Sequence, residues 1–398
     1  MPSSDKKIRL ATPEPAARHQ HYIALAEQPG IEWVGSLDFS ANRDYRELVD
    51  GVLVSGEWAL PDRLAVIKCS QQGIPTFHFM DGILEWRNLF ENPRSTDASR
   101  GSPLYQPILS DFTFCLGQLQ KLQLDWLGNS NVVASGLPRL GCEKIATSRR
   151  QNHPSTRSIL IATANTPWFT DQQKLEFCRE FVPFYERCRD QSEFSIKWRL
   201  APSLWNELGE KNPEASSSPL DALQSVDCVV CTPSTLVLEA MQFGVPTMVF
   251  DPYNRPDFLP SAWRATNGDT AFKMIPALLE ADPQRCRLQN VLRDYQISNS
   301  AETIPKILSV IQSACATNAA DRDDFLCESK NKQSTAENKF KVSLEARHSA
   351  LLSTISTLEA KLHEKSQIAA TLYKQVHMPT LLQGFRQLLR ALKGQIRR

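Results

Sequence analysis

Residues 227–251 read DCVVCTPSTLVLEAMQFGVPTMVFD. Val226-Asp227-Cys228-Val229-Val230-Cys231 is a short apolar run that ends in a turn, and a buried strand is expected over 227–231. Thr232-Pro233-Ser234-Thr235 supplies that turn, and the spacing predicts a helix over 236–243. Gly244 ends the helix, and Pro246 opens a second buried strand over 246–251. Helix N-termini present unpaired N–H groups and the positive end of a dipole, so a turn of hydroxyl residues before one is a phosphate-binding place. Thr232, Ser234 and Thr235 are the hydroxyls at this turn. Glu239 lies four residues after Thr235, on the same helical face, where a carboxylate can accept bonds from vicinal hydroxyls.

Cys228 and Cys231 also make a C-x-x-C. Neither a second such pair nor a nearby pair of histidines completes a tetrahedral metal site, and the pair sits inside an apolar strand. They are read as core cysteines. The ten cysteines of the chain are irregularly spaced and are read as reduced thiols.

Working outward, the stretch 158–163 (SILIAT) predicts a strand followed by the loop Ala164-Asn165-Thr166-Pro167. A long helix is expected over 171–190, a strand over 194–200, and helices over 278–295 and 301–313 that close this half. The first half alternates in the same way, with strands expected at 8–11, 31–35, 51–55 and 75–80. Helices or helical turns are expected at 15–28, 45–48 and 61–72. Alternation of this kind implies βαβ units and parallel sheets, hence an α/β fold of two Rossmann-like domains. The polar, proline-containing segment 144–156 has the composition of the linker between them. The expected division is residues 1–150, 151–315, a polar linker at 316–339, and a helical tail.

That tail carries two seven-residue series. Leu344, Leu351, Leu358 and Leu372 form one, interrupted by Lys365; Ile355, Leu362, Ala369 and Val376 form the other, offset by four. Residues 340–378 are therefore expected to form a coiled coil that makes the chain a homo-oligomer, with a single helix packed back on the body as the alternative. Residues 379–398 place Leu381, Phe385, Leu388, Leu389, Leu392 and Ile396 at helical spacing among basic residues with no acid. This fits either a basic amphipathic helix on an anionic membrane surface or a solvated end of the coiled coil.

Composition excludes other classes. Apolar residues are 41% and charged residues 22%, with a net charge of +1, so no whole-chain field points to nucleic acid. No apolar stretch reaches transmembrane or signal-peptide length, and a cytoplasmic protein, peripheral at the inner membrane face if the tail binds there, is expected. Walker, G-x-G-x-x-G, G-x-S-x-G and H-E-x-x-H motifs are all missing from the sequence.

The stretch 227–251 resembles the donor-site motif in the C-terminal domain of GT-B glycosyltransferases. It looks most like the capsular-polysaccharide and teichoic-acid transferase group, with similarity to lipid A disaccharide synthases and nucleotide-sugar 2-epimerases. The resemblance implies that Ser234, Thr235 and the turn amides hold the diphosphate of a nucleotide-sugar donor and that Glu239 holds its ribose. It extends to residues 114–141, similar to the stretch before the interdomain linker. It also extends to 158–169, which makes Thr163, Asn165 and Thr166 candidate donor contacts. Residues 195–202 (SIKWRLAP) stand where that group carries K-x-H-P; Arg199 replaces the histidine, leaving Lys197 and Arg199 as departing candidates for phosphate.

In such enzymes the catalytic base comes from the N-terminal domain. Asp81 ends the strand at 75–80, at the sheet edge where α/β proteins bind ligands, and is the first candidate; Glu85 is the second. Arg87 could receive an anion such as an acceptor phosphate, with an Asp-Gly turn and a structural ion pair as the alternative reading of this stretch. The Asp-x-Asp at 321 and 323 lies in the polar linker, so metal-dependent transfer is not expected, and no cofactor beyond the donor itself. The implied function is transfer of a sugar to a surface glycan, a glycolipid or a polyol phosphate. The alternatives are a glycerol- or ribitol-phosphate polymer phosphotransferase, a nucleotide-sugar 2-epimerase, whose D-S-G-G turn Thr232-Pro233-Ser234-Thr235 does not match, and a non-catalytic scaffold.

Overall fold

The computed structural model describes residues 7–15, 22–57, 59–93, 104–138, 157–210, 219–256 and 258–316. The expected linker at 144–156, the polar segment beyond Ala316, the heptads at 340–378 and the basic segment at 379–398 lie outside the described residues, as does much of the helix expected at 15–28.

The first half contains β1 (Ile8–Thr12), α1 (Ile23–Ala26), β2 (Ile31–Ser36), β3 (Gly51–Val54), α2 (Leu60–Gln71), β4 (Thr76–Phe79), a π-helical turn (Arg87–Glu91), β5 (Phe112–Cys115), α3 (Gln118–Trp126) and β6 (Val132–Ala134). The second half contains β7 (Arg157–Ala162), α4 (Asp171–Arg189), β8 (Phe194–Arg199), α5 (Pro202–Leu208), α6 (Pro219–Gln224), β9 (Cys228–Cys231), α7 (Thr235–Gln242), β10 (Thr247–Phe250), β11 (Trp263–Ala265), α8 (Gly268–Leu279), α9 (Pro283–Gln296) and α10 (Ser300–Ala316).

Each half is one parallel sheet. The orders are β2-β1-β3-β4-β5-β6 and β11-β10-β9-β7-β8, and every pairing is parallel. The central strands β3, β4, β9 and β10 are buried throughout, as helices on both faces require. In β9 the spacing of three turns the cysteines to opposite faces. Cys228 packs with Phe181 of α4 and Ile275 of α8, and Cys231 with Val237 and Leu238 of α7. A strand of this kind cannot chelate with the pair, and both remain free thiols in the core.

Three differences from the expectation have simple causes. The helix expected over 278–295 is two helices, because Asp282 caps a new start by accepting from Arg285 N, with Pro283 in the first turn. Ala281 takes a positive φ of 53° in the break between them. Strands β5, β6 and β11 were not assigned from sequence, being only three or four residues long. Finally, α10 does not close the second half. Its stripe Ile304, Ile307 and Ile311 packs against Leu10 and Phe77 of the first sheet and Tyr22 and Leu25 at α1, and Lys306 Nζ donates to Ala134 O at 2.7 Å. Helical periodicity marks an apolar face without saying which sheet receives it.

Candidate functional site

The carboxyl edges of the sheets carry the candidate residues. In the second half, two threonine hydroxyls tie the loops after β7, β8 and β9 into one rim. Thr232 Oγ1 accepts from Ala164 N at 2.8 Å, and Thr163 Oγ1 accepts from Ala201 N at 2.8 Å. Both hydroxyls serve the scaffold in this structure. Asn165 and Thr166 follow on the same loop and are exposed. Arg199 ends β8, and its carbonyl accepts from Thr163 N at 3.1 Å. Lys197 lies two residues, about 6.6 Å, further back along the strand. Its Nζ donates to Ser225 Oγ at 2.7 Å, in the turn before β9. The structure therefore brings Thr163, Asn165, Thr166, Arg199 and Thr232 together and leaves Lys197 away from them.

The start of α7, like that of α5, has no side-chain cap. Helices α4, α8 and α9 are each closed by a side chain, from Thr170, Asn267 and Asp282, accepting an amide of the first turn. Ser234 occupies the same position on α7 but makes no side-chain cap bond; its Oγ lies 3.3 Å from Cys231 Sγ instead. The hydroxyl best placed to satisfy the first-turn amides is thus turned elsewhere, and the dipole end is left for another acceptor. Glu239 is buried one turn into the helix, as its position on the Thr235 face predicts. Gly244 ends α7 with a φ of 67°, a left-handed conformation that favours glycine.

The first half supplies the opposite wall through residues 81–93. Asp81 is exposed, and the next residue, Gly82, abuts Thr235: a Cβ there would come 2.5 Å from Thr235 Oγ1. That oxygen also accepts from Ile83 N at 3.3 Å. Glu85 is paired with Arg87, whose Nε donates to Oε1 at 2.6 Å and whose second terminal nitrogen reaches the same oxygen. Arg87 itself is only 3% exposed. It donates from Nη1 to Pro167 O at 2.8 Å and lies over the Tyr253 ring, 4.1 Å from its centroid. Arg87 is thus a buried tie between the halves and is not presented to an acceptor phosphate. Burial pushes the Glu85 carboxyl above its ordinary range, outweighing the opposing pull of Arg87.

Between the walls lies a cleft lined by Glu85, Trp86, Arg87, Pro233, Asp251, Arg255, Phe258 and Arg264, with a volume of about 20 Å³. That is room for roughly one water. Asp251 and Arg264 form an ion pair within it, Nη2 to Oδ2 at 2.7 Å. Arg255 crosses to Glu91 of the first half at 2.7 Å, and Glu91 also accepts from Gln173 Nε2 at 3.1 Å. Glu91, Asp251, Arg255 and Arg264 were not singled out from sequence. Asp251 could have been, because it stands at the carboxyl end of β10, the same edge rule that picked Asp81. The arginines and Glu91 carry no local signal, since their partners lie far along the chain.

No family model matches the sequence, and no curated relative matches it. Solved structures do match in fold. A Listeria monocytogenes protein assigned as a UDP-N-acetylglucosamine 2-epimerase superposes with a TM-score of 0.51 at 15% identity, over 77% of this chain and 96% of that one. The UDP-GlcNAc 2-epimerase of Neisseria meningitidis, bound to UDP-GlcNAc, gives 0.50 at 13%, over 78% and 100%. That of Methanocaldococcus jannaschii, in complex with UDP-GlcNAc and UDP, gives 0.50 at 11%, over 77% and 100%. The chain has the GT-B fold. In this GT-B chain the two sheets face one cleft, and α10 returns from the second half to the first. Among the described residues no helix is long and apolar enough to cross a membrane.

Proposed function

We propose that this GT-B chain is a glycosyltransferase that moves a sugar from a nucleotide-diphosphate donor to a glycan, glycolipid or polyol-phosphate acceptor. The observation that carries the reading is the N-terminus of α7. It lacks a side-chain cap, opens at the carboxyl edge of β9, and faces a cleft from the other half. The amides after Ser234, with the hydroxyls of Ser234 and Thr235, would receive the donor diphosphate, and Glu239 the ribose. Asn165, Thr166 and Arg199 lie on the adjoining rim, where the rest of the diphosphate would pass. The leaving diphosphate would be stabilised by the helix dipole and Arg199. Thr163 and Thr232 would act by holding the rim in shape.

A donor diphosphate at the start of α7 would meet the Thr235–Ile83 contact, so donor entry is expected to part the halves there. Between the two candidate bases we place Glu85 first and Asp81 second. Glu85 lines the cleft beside Pro233, and its raised carboxyl lies nearer to working pH, which suits a group that takes the acceptor hydroxyl's proton. We also assign the heptads at 340–378 to self-association and the basic residues at 379–398 to an anionic membrane surface, where lipid-linked acceptors are found.

The test is a thermal-shift panel of UDP-, GDP-, CMP-, CDP- and dTDP-linked sugars on the full chain and on Glu239→Gln. At a thousandfold excess over Kd, binding adds about 4 kcal/mol to stability. One nucleotide class should raise Tm in the wild type and raise it far less in the variant. A panel without any shift would overturn the reading.

A further inference from the structure

One surface beside the cleft is built from aromatic rings that no core cluster needs. Trp86 and Phe90 are four residues apart on the helical turn around 86–91, and Leu122 and Trp126 are four apart on α3, so each pair shares a helical face. The two pairs meet edge to edge. Ring centroids are 4.5 Å apart for Trp86 and Phe90 and 6.4 Å apart for Phe90 and Trp126. Phe258 of the second half buttresses Trp86 in a T-shaped contact at 5.9 Å. The run becomes more exposed as it leaves the cleft: Trp86 is half-buried and lines it, Phe90 is 38% exposed and Trp126 is 59% exposed, with Leu122 at 54% beside it.

Exposed tryptophan and phenylalanine in one contiguous patch mark a binding surface. Two features select the occupant. The patch is continuous with the cleft through Trp86, so whatever lies on it leads to Glu85 and Pro233. Among the described residues the cations beside it are already answered: Lys121 by Asp125 at 2.8 Å, Arg255 by Glu91 and Arg87 by Glu85. These described residues offer no unanswered cation to an anionic lipid headgroup or a phosphorylated polymer. Neutral sugar rings fit it. Their faces of polarised C–H groups stack on the electron-rich faces of aromatic rings, and a chain of them would follow the line from Trp126 inward.

We infer that Trp86, Phe90 and Trp126, widened by Leu122, form a stacking track that holds the neutral sugar rings of an extended acceptor glycan and feeds its end into the cleft. This rests on the glycosyltransferase reading and names the acceptor class for it.

The experiment titrates the full chain by calorimetry with neutral oligosaccharides of increasing length, derived from cellulose, chitin, starch and mannan. Trp126→Ala and Trp126→Phe are run in parallel. Trp126 is mostly exposed, so both variants should fold. At least one series should bind, more tightly with length. Trp126→Ala should weaken that binding about tenfold, and Trp126→Phe should restore most of it. The track is overturned if no oligosaccharide binds, or if Trp126→Ala changes nothing. It is also overturned if the variant instead abolishes binding to vesicles of phosphatidylglycerol and phosphatidylcholine, or abolishes a concentration-dependent dimer. Nucleotide-sugar thermal shifts on the same samples separate the two readings. Shifts without oligosaccharide binding sink the track alone, whereas Trp126-dependent oligosaccharide binding without any shift sinks the transferase and leaves the track.

Discussion

Thr235 Oγ1, at the first residue of α7, accepts a hydrogen bond from Ile83 N in the other half at 3.3 Å, with only the bare backbone of Gly82 beside it. The residue expected to greet a donor phosphate is therefore also the residue that closes the cleft. Glycine is required at position 82 by this approach, because a Cβ would stand 2.5 Å from the hydroxyl oxygen.

Gly82→Ala should therefore destabilise the protein by about 1–3 kcal/mol, the usual cost of forcing a methyl group into a filled space. Thr235→Ala removes the clashing oxygen. The remaining Thr235 Cβ is 3.8 Å from the added methyl, an ordinary contact. The double variant should then be more stable than the sum of the single effects predicts. Urea unfolding of the four proteins measures this, and additive losses would mean that the two residues do not meet.

Arg87 makes a second prediction. It is buried and answered by Glu85, the Pro167 carbonyl and the Tyr253 ring. Glu85→Gln leaves a buried cation with one partner fewer, and Arg87→Met leaves a buried carboxylate alone. Breaking such a pair from one side costs about 3–5 kcal/mol, while replacing both partners by neutral groups costs much less. Denaturant midpoints should fall for each single variant and recover in Glu85→Gln/Arg87→Met. The Glu91–Arg255 tie is more exposed on both sides. Its coupling should be about 1 kcal/mol or less and should fade in high salt.

The parallel sheets and the turn that opens α7 were legible because they rest on local features: the unbroken apolar runs of β3, β9 and β10, and the turn-to-helix step at Ser234. The strands found by their length and pattern, β1, β2, β7 and β8, fall within a residue or so of their expected limits. What sequence did not reveal is non-local. The apolar stripe of α10 was visible, but its docking onto Leu10 and Phe77 joins residues some 230 or more apart in the chain. Likewise the ion-pair reading of Arg87 was open in sequence, but nothing near it announces Pro167 and Tyr253 as its further partners. Lys197 lies two residues back along β8, where its Nζ is held by Ser225 Oγ, a partner 28 residues along the chain.

The cysteines of β9 give a chemical test of the core. Burial pushes the Cys231 thiol up to about 12 and raises Cys228 further, so neither forms the reactive thiolate at neutral pH. Among the described cysteines, alkylation mapped by mass spectrometry should modify the half-buried Cys178, Cys286 and Cys315 first. Cys228 and Cys231 should react only on unfolding. Rapid native labelling of either one would contradict the two-faced burial of the strand.

His78 sets a pH dependence. It lies in the middle of β4, fully buried, beside the Tyr105 ring. Burial lowers its pKa below the ordinary 6.5, and the carboxylates of Glu57, Asp81 and Glu14 and the Ser55 backbone only partly offset this. The unfolded chain therefore binds the His78 proton more readily than the folded one. Stability contributed by the neutral ring is present above about pH 6.5 and is lost as pH falls through the folded pKa. Glu85 works in the other direction: its raised pKa contributes stability that is present at low pH and lost as pH rises through the folded value. The two are separated by comparing wild type with His78→Phe, which keeps a ring at the site and cannot titrate. Between pH 7 and pH 5 the wild type should lose more stability than the variant, with the difference growing by at most about 1.4 kcal/mol per pH unit. Parallel pH profiles for the two proteins would mean that the ring accepts its proton in the folded state as easily as in water, against the cost of full burial.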